Sequence, residues 1–205
     1  MDWQLDAEET RVLGALMEKE IATPDYYPLS IHALVNACNQ KSNRDPVVNY
    51  GEDAVEEALA GLREKGMALR ITGGESRVPK HGQRFTEKFN LGRREAAVIC
   101  VLMLRGPQTV GELRGRTERL YQFDGLEAVE STLNRLAEMG FAAKLPRQSG
   151  FKEPRYGHLL SGELAAAEEP PAAGRTPSDR DRIAALETAV ADLRKEFEEF
   201  RKNFE

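Results

Sequence analysis

The segment DAVEEALAGLREKGMALRI, residues 53–71, decides the fold, because it returns 74 positions later as EAVESTLNRLAEMGFAAKL, residues 127–145. Eight of the 19 aligned positions are identical: Ala54/Ala128, Val55/Val129, Glu56/Glu130, Leu59/Leu133, Leu62/Leu136, Glu64/Glu138, Gly66/Gly140 and Ala68/Ala142. In each copy Val, Leu and Leu recur at i, i+4 and i+7, which is the stripe of an amphipathic helix. Gly66 and Gly140 stand where such a helix closes through a left-handed residue. After each Gly the period changes from helix to strand. Met67–Thr72 turns through Gly73-Gly74 into Arg77–Phe85, and Phe141–Leu145 turns through Gln148-Ser149-Gly150 into Tyr156–Leu160. These read as two β-hairpins, the first kept short and exposed by Pro79.

Working outward, two further helices precede each copy. Asp6 and Glu9 have capping-box spacing ahead of Val12, Leu13, Leu16 and Met17, and Thr23-Pro24 ends that helix. Ser30 caps a second helix whose inward face is Leu34, Val35 and Cys38. In the later copy Glu95–Leu104 is an apolar helix, Thr109 caps a second through Leu113, and Asp124 is placed to cap the third. Three helices and a hairpin is the order of a winged helix-turn-helix module. The predicted fold is therefore α+β, mainly α: two tandem winged-helix domains, residues 1–90 and 91–162. The first helices align at an offset of 86, so the first module carries about 12 extra residues, all within 23–51.

Residues 163–177, rich in Ala, Glu, Pro and Gly, read as a flexible linker. Beyond it Ile183, Leu186, Val190, Leu193, Phe197 and Phe200 follow heptad a and d spacing, with opposite charges at Arg182/Glu187 and Glu196/Arg201. The expectation for 178–205 is a coiled-coil-like helix that pairs two chains into a homodimer. The alternatives are a higher oligomer or a helix docked on its own chain, since Phe is wide for a two-stranded seam.

Residues 1–90 carry 11 Lys/Arg and 15 Asp/Glu, residues 91–162 carry 11 and 8, and residues 163–205 carry 7 and 11. The middle third is the basic one. No signal-peptide pattern opens the chain, and the longest apolar run, Ala96–Leu104, has nine residues against the roughly 20 that span a bilayer. A cytoplasmic protein without a membrane segment is expected. Cys38 and Cys100 read as buried reduced thiols. There is no phosphate-binding Gly-rich loop, no His-Glu-x-x-His, no Cys-x-x-Cys and no Gly-x-Ser-x-Gly, and His32, His81 and His158 fall on separate elements. A non-enzymatic chain without cofactor or metal is the expectation.

Two kinds of partner compete. Between Arg70 and Arg94 lie seven cations against Glu75 and Glu87, and a basic wing suits phosphate contact through counterion release. The loop Asn39–Pro46 adds amides and cations that either bond phosphates or close turns on their own backbone. On the nucleic-acid reading the contacts are Lys41, Asn43, Arg44, Arg77, Lys80 and Arg84, and the partner is double-stranded DNA in a regulatory role. Against it stand the third helices, which open Glu52-Asp53-Ala54-Val55-Glu56-Glu57 and Glu127-Ala128-Val129-Glu130, and carboxylates entering a DNA groove meet phosphates. The alternative is an adaptor that binds another protein through acidic winged-helix surfaces.

Three runs, Thr23–Ser30, Ala37–Arg44 and Leu104–Arg114, resemble the YceH-like family of uncharacterised bacterial proteins. The resemblance covers roughly residues 5–162 and leaves the tail outside. It implies a tandem winged-helix fold in a bacterial cytoplasm, and carries over neither an activity nor a set of functional residues. The adaptor alternative is similar in outline to the acidic tandem winged-helix subunit of bacterial chromosome-condensation complexes.

Overall fold

A computed structural model describes residues 4–73, 76–146 and 153–162, apart from the side chains of Ser76 and Arg77. The expected linker at 163–177 and the heptad helix at 178–205, with all six of its proposed pairing residues, lie outside the described residues.

The fold is α+β and mainly helical. Helix α1 (Ala7–Ala22) begins with the Asp6/Glu9 capping box, and a 3₁₀ turn (Pro24–Tyr26) follows it. Ser30 caps α2 (Ile31–Cys38) by accepting from Ala33 N. Helix α3 (Glu52–Glu64) leads into the antiparallel strands β1 (Ala68–Gly73) and β2 (Ser76–Gln83). A four-residue helix α4 (Phe85–Lys88) connects to α5 (Arg93–Arg105). Helix α6 (Val110–Thr117) has the Thr109/Glu112 capping box, and α7 (Leu126–Glu138) leads into the antiparallel strands β3 (Ala142–Lys144) and β4 (Tyr156–His158).

Gly66 and Gly140 do take positive φ, 66° and 75°, where each third helix turns into its hairpin. The repeat extends to a feature absent from the sequence reading. Leu29 pairs with His81 and Gln108 pairs with Tyr156, so in both halves the residue before the second helix's cap joins the edge of the hairpin. The offset between matching helices falls from 86 for α1/α5 to 79 for α2/α6 and 74 for α3/α7, which splits the extra residues of the first half: seven before α2, five after it. Two local expectations change. Asp124 does not cap α7; Gly125 holds that position and no side chain closes the helix end. The hairpin's return strand ends at Gln83, because Phe85 turns inward to start α4 and is fully buried.

The two halves do not bury separate interiors. One hydrophobic cluster runs through both, and the boundary expected at residue 90 marks a repeat of element order within one core. Helices α1 and α5 cross at its centre. At Gly14 an added Cβ would lie 2.9 Å from Leu104 Cδ2 and 3.3 Å from Met103 Cβ, so the absence of a side chain is what lets α1 approach α5. Cys100 Sγ donates to the Gly14 carbonyl at 3.4 Å across the same crossing. Both thiols are free and buried. Phe85 and Phe89 pack against Phe141 of the second half in tilted and edge-to-face arrangements, with ring centroids 5.6 and 4.9 Å away. At the rim Leu5 N donates to Leu160 O at 2.7 Å. Among the described residues no helix is long and apolar enough to cross a membrane.

Candidate functional site

The loop that follows α2 holds three of the candidate phosphate contacts, and the side chains of Asn39, Asn43 and Arg44 bond within the protein. Arg44 is 5% exposed. Its guanidinium donates to both oxygens of Glu18, Nη2 to Oε2 at 2.6 Å and Nη1 to Oε1 at 3.1 Å, and also to the carbonyls of Ala37 and Asn43. Glu18, on α1, is wholly buried and also pairs with Arg119, which follows α6, and with Lys19. Burial alone would raise the Glu18 carboxyl; the hydrogen bonds and charge of Arg44, then the charges of Arg119 and Lys19, outweigh it and hold the group below its ordinary value. Arg11 extends the clasp, donating to Cys38 O at 3.1 Å and Pro46 O at 2.6 Å. Together Arg11 and Arg44 satisfy carbonyls that the end of α2 leaves open.

The neighbouring residues follow the same pattern. Asn39 exchanges two hydrogen bonds with the backbone of Tyr50, both at 2.8 Å. Asn43, at a positive φ of 59°, accepts from Arg105 at 3.1 Å. Asp45 N donates to Leu104 O. Of the residues expected to meet nucleic acid, Arg44 is bonded to Glu18 of α1, and Asn43, half-buried, accepts from Arg105 of α5. Only Lys41 of that trio stays exposed.

The basic segment from 70 to 94 is likewise partly committed. Arg84 pairs with Glu87 at 3.1 Å, Lys88 donates to the Lys65 carbonyl, and Arg94 donates to Tyr121 at 2.9 Å while lying over its ring. Lys80 is half-buried and Arg70 exposed, neither in an ion pair among the described residues. The Arg77 side chain lies outside the described residues.

What the structure assembles instead is a groove of about 520 Å³ between α3 and the β1/β2 hairpin. Asp53, Glu56 and Glu57 project from α3 into it and are exposed. Arg63 from the last turn of α3 and Arg70 from β1 face the same space, over a floor that includes Ile31, Leu59 and Pro79. None of these five charged groups forms an ion pair among the described residues. His81, opposite Arg70 in the ladder, is 7% exposed, lines the groove, and has an Nδ1 with no hydrogen-bond partner among the described residues. Burial, then the charges of Arg63 and Arg70, push its pKa down, so the ring is neutral at pH 7. The acidic turn of α3 was legible as sequence. Arg63 and His81 were not singled out, although Arg63 lies at i+7 from Glu56 on the exposed stripe of the same helix. A second acidic groove adjoins, where Asp6 and Glu8 of the α1 start face Glu57 and Glu64. Among the described residues no group of His, Cys, Asp and Glu is arranged to hold a metal.

Comparison with known proteins places the chain in a family. A model described as "Protein of unknown function, DUF480" matches residues 5–151. A UPF0502 protein of Solibacter usitatus is 71% identical over 207 residues, covering 100% of both chains. One from Opitutus terrae is 51% identical over 193 residues, 93% of this chain and 83% of its own. One from Geobacter sulfurreducens is 47% identical over 220 residues, the full length of each. With a match over most of its length and relatives of this similarity, the chain belongs to the DUF480 family, the uncharacterised bacterial group that its three sequence runs resemble.

Proposed function

We propose that the chain is a non-catalytic tandem winged-helix protein of the bacterial cytoplasm whose exposed faces bind another protein, as an adaptor does. One observation carries this reading: α3, the helix that a winged-helix module lays into a DNA groove, presents Asp53, Glu56 and Glu57 with no cation paired to them among the described residues. A carboxylate about 4 Å from a phosphate costs on the order of 1 kcal/mol in water and about 4 kcal/mol near a protein surface, and three would meet the backbone together. Of the two cations on the neighbouring loop that could offset this, Arg44 is spent internally on Glu18. DNA binding in a regulatory role would have to rest on exposed cations such as Lys41, Arg63 and Arg70, with three carboxylates on the same helix face opposing it.

Fluorescence anisotropy of a labelled random-sequence duplex, titrated with the protein between 50 and 200 mM salt, separates the two. Protein binding through the α3 face requires no measurable association with the duplex at the low-salt end. Association that falls steeply with salt, by a log–log slope of about −0.9 for each phosphate contact, would replace the adaptor reading by the DNA one.

A further inference from the structure

The charges in the α3 groove are not merely acidic; they are sorted along the helix. Asp53, Glu56 and Glu57 occupy the N-terminal half of the groove wall and Arg63 the last turn, with Arg70 beside it on β1. From position 56 to position 63 the helix rises about 10 Å at 1.5 Å per residue. The groove therefore has a negative end and a positive end about 10 Å apart, separated by an apolar floor. Charged side chains of both signs on one protein wall ordinarily neutralise each other in pairs; among the described residues none of these does.

Two further observations point to an occupant. Val78 of β2 is 53% exposed at the rim of the groove, where an apolar side chain of a partner would cover it. His81 is nine-tenths buried in the wall with its Nδ1 unpartnered among the described residues, and a buried polar atom left open is costly unless an incoming group or solvent completes it.

We infer that this groove takes a segment of a partner protein that carries a Lys or Arg and an Asp or Glu about 10 Å apart, flanking small apolar side chains. The cationic residue sits against Asp53, Glu56 and Glu57, the acidic one against Arg63 and Arg70, and the apolar residues between them cover Val78 and Pro79. In an extended chain rising about 3.3 Å per residue this spacing is i to i+3; in a helix it is i to i+7. A nucleic-acid backbone, uniformly negative, cannot satisfy the acidic end, and a uniformly basic segment leaves the two arginines opposed by like charge. The inference rests on the protein-binding reading of the same face.

The test is a two-dimensional ¹H–¹⁵N NMR titration of the full chain with the tetrapeptide Ac-Lys-Val-Val-Glu-NH₂, alongside versions with Gln for Glu and with norleucine for Lys. The dipolar peptide is expected to shift amides of α3 and the β1/β2 hairpin, and each neutralised peptide to bind about 2–5-fold more weakly, the range of one exposed ion pair. Glu56→Gln and Arg63→Gln should each weaken the dipolar peptide to the same degree, while Lys41→Gln, outside the groove, leaves it unchanged. All three positions are exposed, and an otherwise unaltered spectrum shows that the variants fold. Equal binding of all three peptides, no shifts, or shifts elsewhere would overturn the inference. No shift together with no duplex binding defeats the dipolar preference alone, whereas salt-dependent duplex binding removes the protein-binding reading beneath it.

Discussion

Substituting Arg44→Ala distinguishes a phosphate contact from an internal clasp. The change deletes five hydrogen bonds, two of them to Glu18, and leaves a fully buried carboxylate facing Lys19 and the half-exposed Arg119. Removing one member of a buried pair costs about 3–5 kcal/mol, chiefly because the other is left uncompensated. Since Arg119 and Lys19 remain, the loss should fall near the lower end, about 3 kcal/mol. For a chain of this size that corresponds to a fall in Tm of roughly 6–12 °C, taking about 2–4 °C per kcal/mol. Urea unfolding followed by circular dichroism at neutral pH measures it. A surface arginine reserved for phosphates would change stability by no more than about 0.5 kcal/mol, and a result in that range would refute the clasp.

The same network has an acid signature. Because the folded Glu18 carboxyl lies below its ordinary value of 4.5, the stability it contributes is complete above that pH and is lost as the pH falls through the folded value. Wild-type stability should therefore drop more steeply below pH 4.5 than that of Glu18→Gln, and parallel pH profiles would sink the assignment. Gly14→Val should destabilise by about 1–3 kcal/mol by overpacking α1 against Leu104 and Met103, and a neutral outcome in the same unfolding assay would show that the crossing is looser than it looks. Burial raises the Cys38 thiol to about 12 and lifts Cys100 as well, so neither should react with a thiol reagent in the native protein at mildly alkaline pH. Rapid labelling of either one before unfolding would contradict their place in the core.

Much of this fold was legible because its signals are local. The caps at Asp6, Ser30 and Thr109, the glycine stops at 66 and 140, and the repeat at 74 residues each depend on a few neighbouring positions, and the structure bears them out. Asp124 had the right residue type for a cap and was passed over for Gly125, a choice of one position that propensity does not make. The shared core was harder to read. Its signal was present in Ala96–Leu104, whose nine apolar residues leave no polar face, as expected of a helix surrounded on every side. The fate of the Asn39–Pro46 loop was illegible because asparagine, serine and arginine serve turns, helix ends and phosphates equally well. Which role each plays depends on Glu18 and Leu104, distant in sequence. The sorted charges of the α3 groove lie between these cases: the residues were visible, but the hairpin residues that complete the wall could be placed only by the register of β1 on β2.

The positions of both hairpins and both third helices depend on the two halves sharing one interior. Differential scanning calorimetry of the full chain tests this most directly. A continuous core through α1 and α5 requires residues 4–162 to unfold in one transition, with equal calorimetric and van't Hoff enthalpies. Two resolved transitions, each accounting for about half the enthalpy, would mean that the repeats fold as independent domains and that their packing contributes little.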